Sequence, residues 1–329
     1  MTSLAPVLQA FFTDRLMTQR QVSPHTIAAY RDTFRLLLGF ACDRTGTQAN
    51  ILDLADLDAP LIGAFLDHLE SHRHNMIRTR NARLVAIHSL FAYAALRHPE
   101  HAELIQRVLA IPPKRFERNV LTYLTDAETH ALLASCDRAT WTGRRDHALL
   151  LLATQTGLRI SELTSLTCGD VHLGAGPHVH CIGKGRKHRD TPLLPETVAV
   201  LRVWLAERNG QPTDPLFPTA TGHRLSRDAI EHRIAHYTNK AGRSCSSITA
   251  KHVTAHTLRH TAAMRLLHAG VDITVIALWL GHEQIATAQL YLHADMTLKE
   301  HALAKTAPPG TKPGRYKPPD PLLAFLDSL

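Results

Sequence analysis

Two arginines of the sequence, Arg159 and Arg259, have the chemistry to bind a phosphate group. Arg159 lies in the segment 156–163, and Arg259 lies three residues after His256. A guanidinium presents a planar fork of N–H donors that matches two oxygens of a phosphate. Two such groups would stabilise the negative charge that develops on a phosphodiester when its phosphorus is attacked. His256 precedes Arg259 by one helical turn, so both side chains can face one site.

Tyr291 is the candidate nucleophile. A phenol has a pKa near ~10, so it needs a base or a cationic environment to attack at neutral pH. His256 is the candidate base. A single tyrosine on an amphipathic helix is usually a packing residue, but Tyr291 follows a Leu-Gly-His segment that ends at His282. That position favours a chemical role.

The order and spacing of these residues resemble those of the tyrosine recombinase (phage integrase) family. The family's catalytic residues occur in the order Arg, Lys, His-x-x-Arg, His and Tyr. The matching residues of this sequence are Arg159, Lys184, His256, Arg259, His282 and Tyr291. The resemblance is strong from about Thr125 to His293 and looser in the first hundred residues. Departures at Ala262, Ala263 and Ala288 affect packing positions and remove no catalytic group.

The resemblance implies a site-specific DNA recombinase acting in integration, excision or resolution. It implies that Tyr291 attacks the scissile phosphate and forms a 3′-phosphotyrosyl link, with Lys184 as the acid for the 5′ oxygen and Lys187 as its neighbouring rival. His282 would donate to the phosphate or position the tyrosine. The implied partners are double-stranded DNA and three further copies, in a homotetramer on two duplexes. No metal or nucleotide cofactor is expected, since the covalent link conserves the bond energy.

The elements that must position these residues form a mainly α fold with a small β-sheet. The first 110 residues are predicted to form a helical core-binding domain. Its helices are expected at Leu4–Met17, from Ser23 to Phe40, from Asp58, at Arg78–Leu96 and at Glu100–Leu109. Ser23-Pro24 is a helix start with an N-cap and a proline at the first helical position. The proline-containing segment 111–121 is predicted to be an interdomain linker.

Residues 122–307 are predicted to form a mixed α/β catalytic domain. Thr125 and Glu128 have the spacing of a capping box. Two short strands are expected at His178–Ile182 and His188–Leu193, on either side of a Gly-Lys-Gly turn. Helices are expected at 143–156, 195–208, 226–241, 255–269, 272–280 and 284–292. The tail 308–329 is rich in proline and ends in apolar residues that could dock on a neighbouring protomer.

The chain is basic, with 37 Lys and Arg against 29 Asp and Glu. Residues 1–112 account for only one unit of the net charge of +8. That first part nevertheless has an acid-free span between Glu70 and Glu100. Basic side chains at such density suit DNA phosphates. The candidate DNA-binding residues are Arg73, Arg78, Arg80 and Arg83 in this span, and Arg186, Lys187 and Arg189 beside the Gly-Lys-Gly turn.

Five cysteines without a C-x-x-C pair argue against a disulfide scaffold or a cysteine zinc site and fit a reducing cytoplasm. The N-terminus lacks the pattern of a signal peptide, and no apolar run reaches the ~18 residues of a membrane span. The 23 histidines invite a metal hypothesis, with His178, His180 and Cys181, or His256 and His260, as ligands. The first set follows the alternation of a strand, and the second lacks a glutamate, so neither is favoured.

Other functions remain open from sequence alone. A type IB topoisomerase-like enzyme would keep the fold and relax DNA without a defined site. A non-cleaving DNA-binding protein would keep the basic surface, and a basic metal-binding protein is more remote. Among supporting residues, Glu162 is expected one helical turn from Arg159, His260 beside the site and Trp279 in the core. The sequence does not identify the DNA site, which is read through base edges and DNA deformability.

Overall fold

The computed structural model describes residues 2–116, 121–183, 187–281 and residue 291. The chain divides into two compact units, Met1–Arg118 and Asn119–Leu329. Each unit has its own apolar core.

The regular elements described in the first unit are all helices, joined by short irregular segments. Its α-helices are α1 (Leu4–Ala10), α2 (Pro24–Thr45), α3 (Ala59–Ser71), α4 (Ile77–Ala95) and α5 (Ala102–Leu109). A π-helical segment, Phe11–Gln19, continues from α1. Ser23 caps α2 by accepting the Thr26 N–H, as the sequence predicts. The helices enclose a core that contains Phe11, Phe34 and Phe65.

The start of the predicted linker is part of this first unit. The Asn81 side chain donates to the Lys114 carbonyl at 2.8 Å and accepts the Lys114 backbone N–H at 3.1 Å. The Lys114 ammonium pairs with Glu70 at 2.8 Å. These bonds attach the chain up to Lys114 to α3 and α4.

The second unit combines helices with one small sheet. Its helices are α6 (Asp126–Ala134), α7 (Trp141–Thr156), α8 (Ile160–Ser165), α9 (Pro195–Arg208), α10 (Arg227–Ala241), α11 (Ala255–His268) and α12 (Ile273–Leu280). The predicted capping box of α6 is present, with both of its hydrogen bonds. Helix α7 is buried along most of its length and packs against α9 and α11. The sequence pattern does not predict the short helix α8.

Three antiparallel strands form the sheet in the order β1 (Val171–His172), β2 (His178–Ile182) and β3 (His188–Pro192). The strands β2 and β3 fall where the sequence places them, whereas the sequence pattern does not predict the two-residue β1. Val179 lies opposite Thr191, and both residues are buried on the inner face. The closing bond of the β2–β3 hairpin runs from the Gly183 N–H to the Lys187 carbonyl at 2.8 Å.

Candidate active site

Arg259 is held by backbone carbonyls from two helix ends. Its side chain projects from α11 and only 3% of the residue is exposed. Nη1 donates to the Gly157 carbonyl and Nη2 donates to the Leu280 carbonyl, each at 2.7 Å. Gly157 follows α7 in the left-handed conformation, with φ of +65°. A Cβ there would lie 2.7 Å from Leu280 Cδ2, so the close approach of the two helix ends requires glycine.

Arg159 reaches the same end of α12. It is the residue before α8, and its Nη2 donates to the Gly281 carbonyl at 2.8 Å. The adjacent carbonyls of Leu280 and Gly281 therefore each bind one guanidinium. The C-terminal end of a helix carries partial negative charge, which favours cations at this position. The end of α12 thus brings together the two arginines that the sequence singles out.

The proximity of two cations has an electrostatic cost. Burial, followed by the like charge of Arg159, lowers the pKa of Arg259 to about 10. Arg259 still carries its charge at neutral pH. The pair therefore forms a partly desolvated cationic centre that suits a phosphate, whose charge would relieve their repulsion.

Glu162 is the carboxylate between Arg159 and the sheet. It is 2% exposed and accepts the Arg159 backbone N–H at 2.7 Å and Arg159 Nη1 at 2.9 Å. Arg189 on β3 donates to both carboxylate oxygens, at 2.9 and 2.8 Å. Burial raises the pKa of Glu162, but the bonds and charges of Arg189 and Arg159 outweigh it and hold the pKa below its usual range. The sequence predicts the contact between Glu162 and Arg159, but not the part played by Arg189.

Tyr291 is almost fully buried, with 2% of the residue exposed. It belongs to an apolar cluster formed by α11 and α12, which includes Met264 and Leu280. Its hydroxyl lies 3.2 Å from Nδ1 of His260. Burial raises the pKa of Tyr291, and the opposing charges of Arg259 and Arg159 do not cancel the effect. The phenol is therefore buried beside the cationic centre and is protonated at neutral pH.

His256 lies one turn before His260 on α11 and is exposed. The centroids of the two imidazole rings are 4.1 Å apart, with the rings steeply inclined. His260 thus lies between His256 and the Tyr291 hydroxyl. The sequence offers His260 only as a supporting residue, whereas the structure gives it the direct contact with Tyr291.

Several sequence predictions lie outside the described residues. These are Lys184 and Arg186 in the hairpin turn, His282, the greater part of the helix expected at 284–292, and the tail 308–329. Lys187 is described and is exposed beside the hairpin turn. Trp279 is half-buried, and its indole N–H donates to the Thr156 carbonyl at 3.1 Å.

The arginines of the acid-free span divide into two groups. Arg73 and Arg78 are exposed, and Arg83 is partly buried. Partial burial, followed by the like charge of Arg73, lowers the pKa of Arg83, so these two cations lie near each other. Arg80 is 5% exposed and lies 3.5 Å from the Glu70 carboxylate. Its Nη1 also donates to the Pro112 carbonyl at 3.4 Å, so its charge is used inside the first unit.

The histidines of the sheet do not join Cys181 in one ligand set. His178 and His180 lie on the outer face of β2, whereas Cys181 is 4% exposed and faces the core. Within the described ranges, no three His, Cys, Asp or Glu side chains are arranged to hold a metal ion. The helices described here include none with the length and apolar character needed to cross a membrane.

Sequence reasoning misses two kinds of functional group. The carbonyls that anchor the arginines belong to the backbone and have no sequence signal of their own, although Gly157 and Gly281 mark two of them. Arg189 is close in sequence to the basic turn, which favours a DNA contact for it, but the structure directs it inward. Strand alternation is the signal that could have found this role, since Arg189 lies opposite the buried Cys181 in the hairpin register.

Comparison with known proteins agrees with this arrangement. Residues 122–297 match the phage integrase family, and residues 10–98 match the phage integrase N-terminal SAM-like domain. The integrase/recombinase y4rC of Sinorhizobium fredii is 54% identical over 99% of this chain and 98% of its own length. The tyrosine recombinase XerD of Pseudomonas putida is 31% identical over 91% of this chain and 96% of its own.

Solved structures of low sequence identity share the fold. The Tn1549 transposon integrase, in complex with transposon right-end DNA, superposes with a TM-score of 0.70 at 17% identity, covering 94% of this chain and all of that one. XerH recombinase, in a post-cleavage complex with its difH substrate, gives 0.66 at 22% identity, covering 87% of this chain and 81% of its own. The two arginines meet at the end of α12, and His260 on α11 contacts Tyr291. With these residues, and with relatives matched over nearly its whole length, the chain belongs to the phage integrase family of tyrosine recombinases, which are DNA breaking and rejoining enzymes.

Proposed function

We propose that this protein binds duplex DNA at a specific site and cleaves and rejoins it through a 3′-phosphotyrosyl intermediate. The observation that carries the proposal is the cationic pair of Arg159 and Arg259, anchored on adjacent carbonyls beside a buried tyrosine. A pair of this kind suits a phosphodiester, because both guanidiniums can donate to its non-bridging oxygens. The tyrosine supplies the nucleophile that such a phosphate requires.

The proposed reaction exchanges one phosphodiester for another. Tyr291 Oη attacks the phosphorus and its proton passes to a base, while the bond from phosphorus to the 5′ oxygen breaks and that oxygen takes up a proton. Arg159 and Arg259 stabilise the charge on the non-bridging oxygens, and one such preorganised donor is worth about 10²–10³ in rate. A 5′ hydroxyl from a second duplex reverses the step and joins the strands in a new combination.

His260 and His256 are the candidates for accepting the proton of the Tyr291 hydroxyl. His260 already contacts the Tyr291 hydroxyl, and His256 is exposed beside it. A proton accepted by an imidazole of this pair would be close to solvent. The attack also requires the phenol to leave its apolar cluster, because a hydroxyl buried as Tyr291 is cannot reach a phosphate on DNA.

The remaining catalytic roles rest on the family resemblance. Lys184 is proposed as the acid that protonates the 5′ oxygen, with Lys187 as the alternative. His282 is proposed to donate to the phosphate or to position Tyr291. A substrate with sulfur in place of the bridging 5′ oxygen tests the acid, since a thiolate leaves without a proton. Lys184→Ala is expected to regain cleavage on that substrate. Lys187→Ala is expected to cleave each substrate as well as wild type does.

DNA contacts are proposed for the exposed basic residues of both units. Arg73 and Arg83 carry neighbouring positive charges, and Arg78 is exposed on α4, the helix that also contains Arg83. Lys187 and Arg186 flank the hairpin turn and are proposed to bind phosphates there. The homotetramer on two duplexes, the docking of the tail 308–329 on a neighbour, the linker up to residue 121 and a cytoplasmic location also remain proposals. DNA complexes of the transposon integrase and of XerH support the choice of partner.

Covalent capture tests the proposal and identifies the DNA site in one experiment. The full chain is incubated with duplexes taken from the DNA that flanks its gene and with a library of randomised nicked duplexes. DNA that stays attached to protein under denaturing conditions is recovered and sequenced, with Tyr291→Phe as the background. We expect wild type to enrich one sequence and Tyr291→Phe to enrich none. Covalent adducts with the Tyr291→Phe protein would remove the nucleophile assignment.

Two competing functions give different outcomes in the same experiment. A topoisomerase-like enzyme would form adducts without sequence enrichment and would relax a supercoiled plasmid that lacks any site. A non-cleaving DNA-binding protein would retain DNA under native conditions and form no adduct with either preparation.

A further inference from the structure

Arg189 is turned toward the protein interior although it lies next to a basic turn. It is on β3, directly opposite Cys181 in β2, and its side chain is 12% exposed. Both of its terminal nitrogens donate to Glu162, Nη1 to Oε1 at 2.9 Å and Nη2 to Oε2 at 2.8 Å. This fork geometry gives a charge-assisted bidentate pair, which fixes the orientation of both groups. The guanidinium is therefore committed to a carboxylate.

The same carboxylate is also committed to Arg159. Oε1 accepts from Arg159 Nη1 at 2.9 Å, and Oε2 accepts the Arg159 backbone N–H at 2.7 Å. Glu162 therefore accepts four N–H groups, two from each arginine, with 2% of the residue exposed. One buried negative charge lies between two positive charges, so the three groups together carry a net charge of +1.

Two glycines approach the Arg189–Glu162 pair closely. A Cβ on Gly281 would lie 2.8 Å from Arg189 Nη1. A Cβ on Gly183 would lie 3.1 Å from Glu162 Oε1 and 3.3 Å from Arg189 Nη1. Gly281 also gives its carbonyl to Arg159, so one residue contacts both arginines. Arg189 thus lies between Gly281 at the end of α12 and Gly183 at the base of the hairpin.

We propose that Arg189 is a positioning residue that acts as the counter-ion of Glu162 and so leaves the charge of Arg159 available to the scissile phosphate. The inference rests on the proposed function and assigns Arg189 no contact with DNA. Without Arg189, Glu162 would pair with Arg159 alone and the cluster would be neutral. A phosphate would then approach a carboxylate whose charge is offset only by Arg159, the same residue that is proposed to bind the phosphate. The loss would be felt as weaker stabilisation of charge on the phosphate.

The test compares a charged scissile phosphate with a neutral one. The substrate is the duplex recovered by covalent capture, prepared with either a normal phosphodiester or a methylphosphonate at the cleavage position. Arg189→Gln is expected to slow adduct formation on the phosphodiester by roughly 10²-fold, the size of a misplaced catalytic contact. The methylphosphonate lacks the charge that Arg159 and Arg259 would neutralise, so on this substrate Arg189→Gln should slow adduct formation by less than about tenfold. Affinity for uncleaved duplex should stay within about twofold of wild type.

Three further variants separate positioning from folding. Arg144→Gln is the matched control, because Arg144 forms a bidentate pair with Glu207 at 2.8 and 2.7 Å between α7 and α9. It should cleave both substrates at the wild-type rate. Arg189→Lys keeps the charge but not the fork and should recover part of the phosphodiester activity. Arg189→Gln combined with Glu162→Gln restores the net charge of +1. This double variant should cleave the phosphodiester faster than the combined losses of the two single variants predict.

The outcomes are distinct. Equal losses of Arg189→Gln on both substrates would overturn the inference and indicate a structural role. A weaker affinity for uncleaved DNA, with normal cleavage of the bound complex, would overturn it in favour of a phosphate contact. If wild type forms adducts with neither substrate, the proposed function fails, independently of Arg189.

Discussion

The buried carboxylate of Glu162 should be far more important to stability than a surface carboxylate with the same kind of partner. Glu162→Gln leaves an amide that can accept at one atom only, while its NH₂ group faces guanidinium donors. The substitution therefore loses the acceptor for two of the four N–H groups and removes the only negative charge that the described contacts place between Arg159 and Arg189. Two partly buried cations are left without compensation.

The expected size follows from burial. Breaking a buried ion pair by removing one partner costs about 3–5 kcal/mol. The Arg159 side chain is 29% exposed and keeps some hydration, so we take the lower end, about 3 kcal/mol. For a unit of about 200 residues this lowers the unfolding temperature by roughly 6–12 °C. Glu207→Gln breaks a bidentate pair whose side chains are 34% and 27% exposed, and should cost much less than Glu162→Gln, because solvent screens a pair at the surface.

The tryptophans make the measurement selective. The chain has three, Trp141, Trp204 and Trp279, and all belong to the second unit. Urea unfolding followed by tryptophan fluorescence therefore reports on the unit that contains Glu162 and leaves the helical unit silent. A Glu162→Gln midpoint no lower than that of Glu207→Gln at pH 7 would refute the reasoning.

The pH dependence has a definite sign. Glu162 has a depressed pKa in the folded protein, so its stabilising contribution is complete above the unfolded pKa of about 4.3 and is lost as the pH falls through the folded pKa. The stability gap between wild type and Glu162→Gln should therefore stay constant from neutral pH down to about 5 and narrow below the unfolded value. A gap that widens on acidification would contradict the assigned ionisation.

Three further predictions concern other parts of the molecule. Arg78→Ala should lower the salt dependence of binding to a nonspecific duplex by about one unit of log–log slope, whereas Arg80→Ala should leave that slope unchanged and lower stability by roughly 1–3 kcal/mol. Gly157→Ala should destabilise the second unit by at least about 1–2 kcal/mol in urea, because its φ is left-handed; an unchanged midpoint would argue against that conformation. The pH titration of near-ultraviolet absorbance, taken as the difference between wild type and Tyr291→Phe, reports on Tyr291 alone. Its midpoint should lie above the ordinary tyrosine pKa of about 10, because burial raises the pKa of Tyr291; a midpoint below that value would contradict its burial.

The sequence predicts the regular elements best where local signals are strong. The N-cap at Ser23 and the capping box at Thr125 are confirmed by their hydrogen bonds, and strand β2 has the predicted bounds. The segment after α1 is predicted to be α-helical and is π-helical instead, with the Arg20 N–H donating to the Arg15 carbonyl. Side-chain periodicity does not separate these helix types, because the difference lies in which carbonyl each N–H selects.

The shortest elements escape prediction for a different reason. Helix α8 has six residues and strand β1 has two, so neither provides enough positions for a period to be recognised. Arg159, the residue before α8, has no capping side chain. Its backbone N–H instead donates to the Glu162 carboxylate in the first turn of the helix. The element that follows Arg159 is thus specified by tertiary contacts that a linear pattern does not contain.

Charge in the sequence is also a poor guide to charge on the surface. Arg80 and Arg189 belong to basic runs, yet each is paired with a glutamate inside its own unit. Arg78 and Lys187 come from the same runs and are exposed. The distinction depends on helix face and strand alternation, which select single residues within a run, whereas net charge averages over all of them.

The cationic pair of the candidate site is strained before any DNA is bound, and this strain is itself an argument for phosphate binding. Arg159 and Arg259 are drawn together by adjacent carbonyls at the end of α12, at the cost of a lowered pKa for Arg259. Folding has therefore already desolvated Arg259 and oriented both guanidiniums, so a phosphate between them would meet donors that need little reorganisation. On the proposed function, phosphate binding would raise the pKa of Arg259 back toward its ordinary value. The negative charge of the phosphate would also offset the attraction of the arginines for the Tyr291 phenolate. On the proposed function a base is therefore needed in addition to the arginines, and the histidine pair is the candidate.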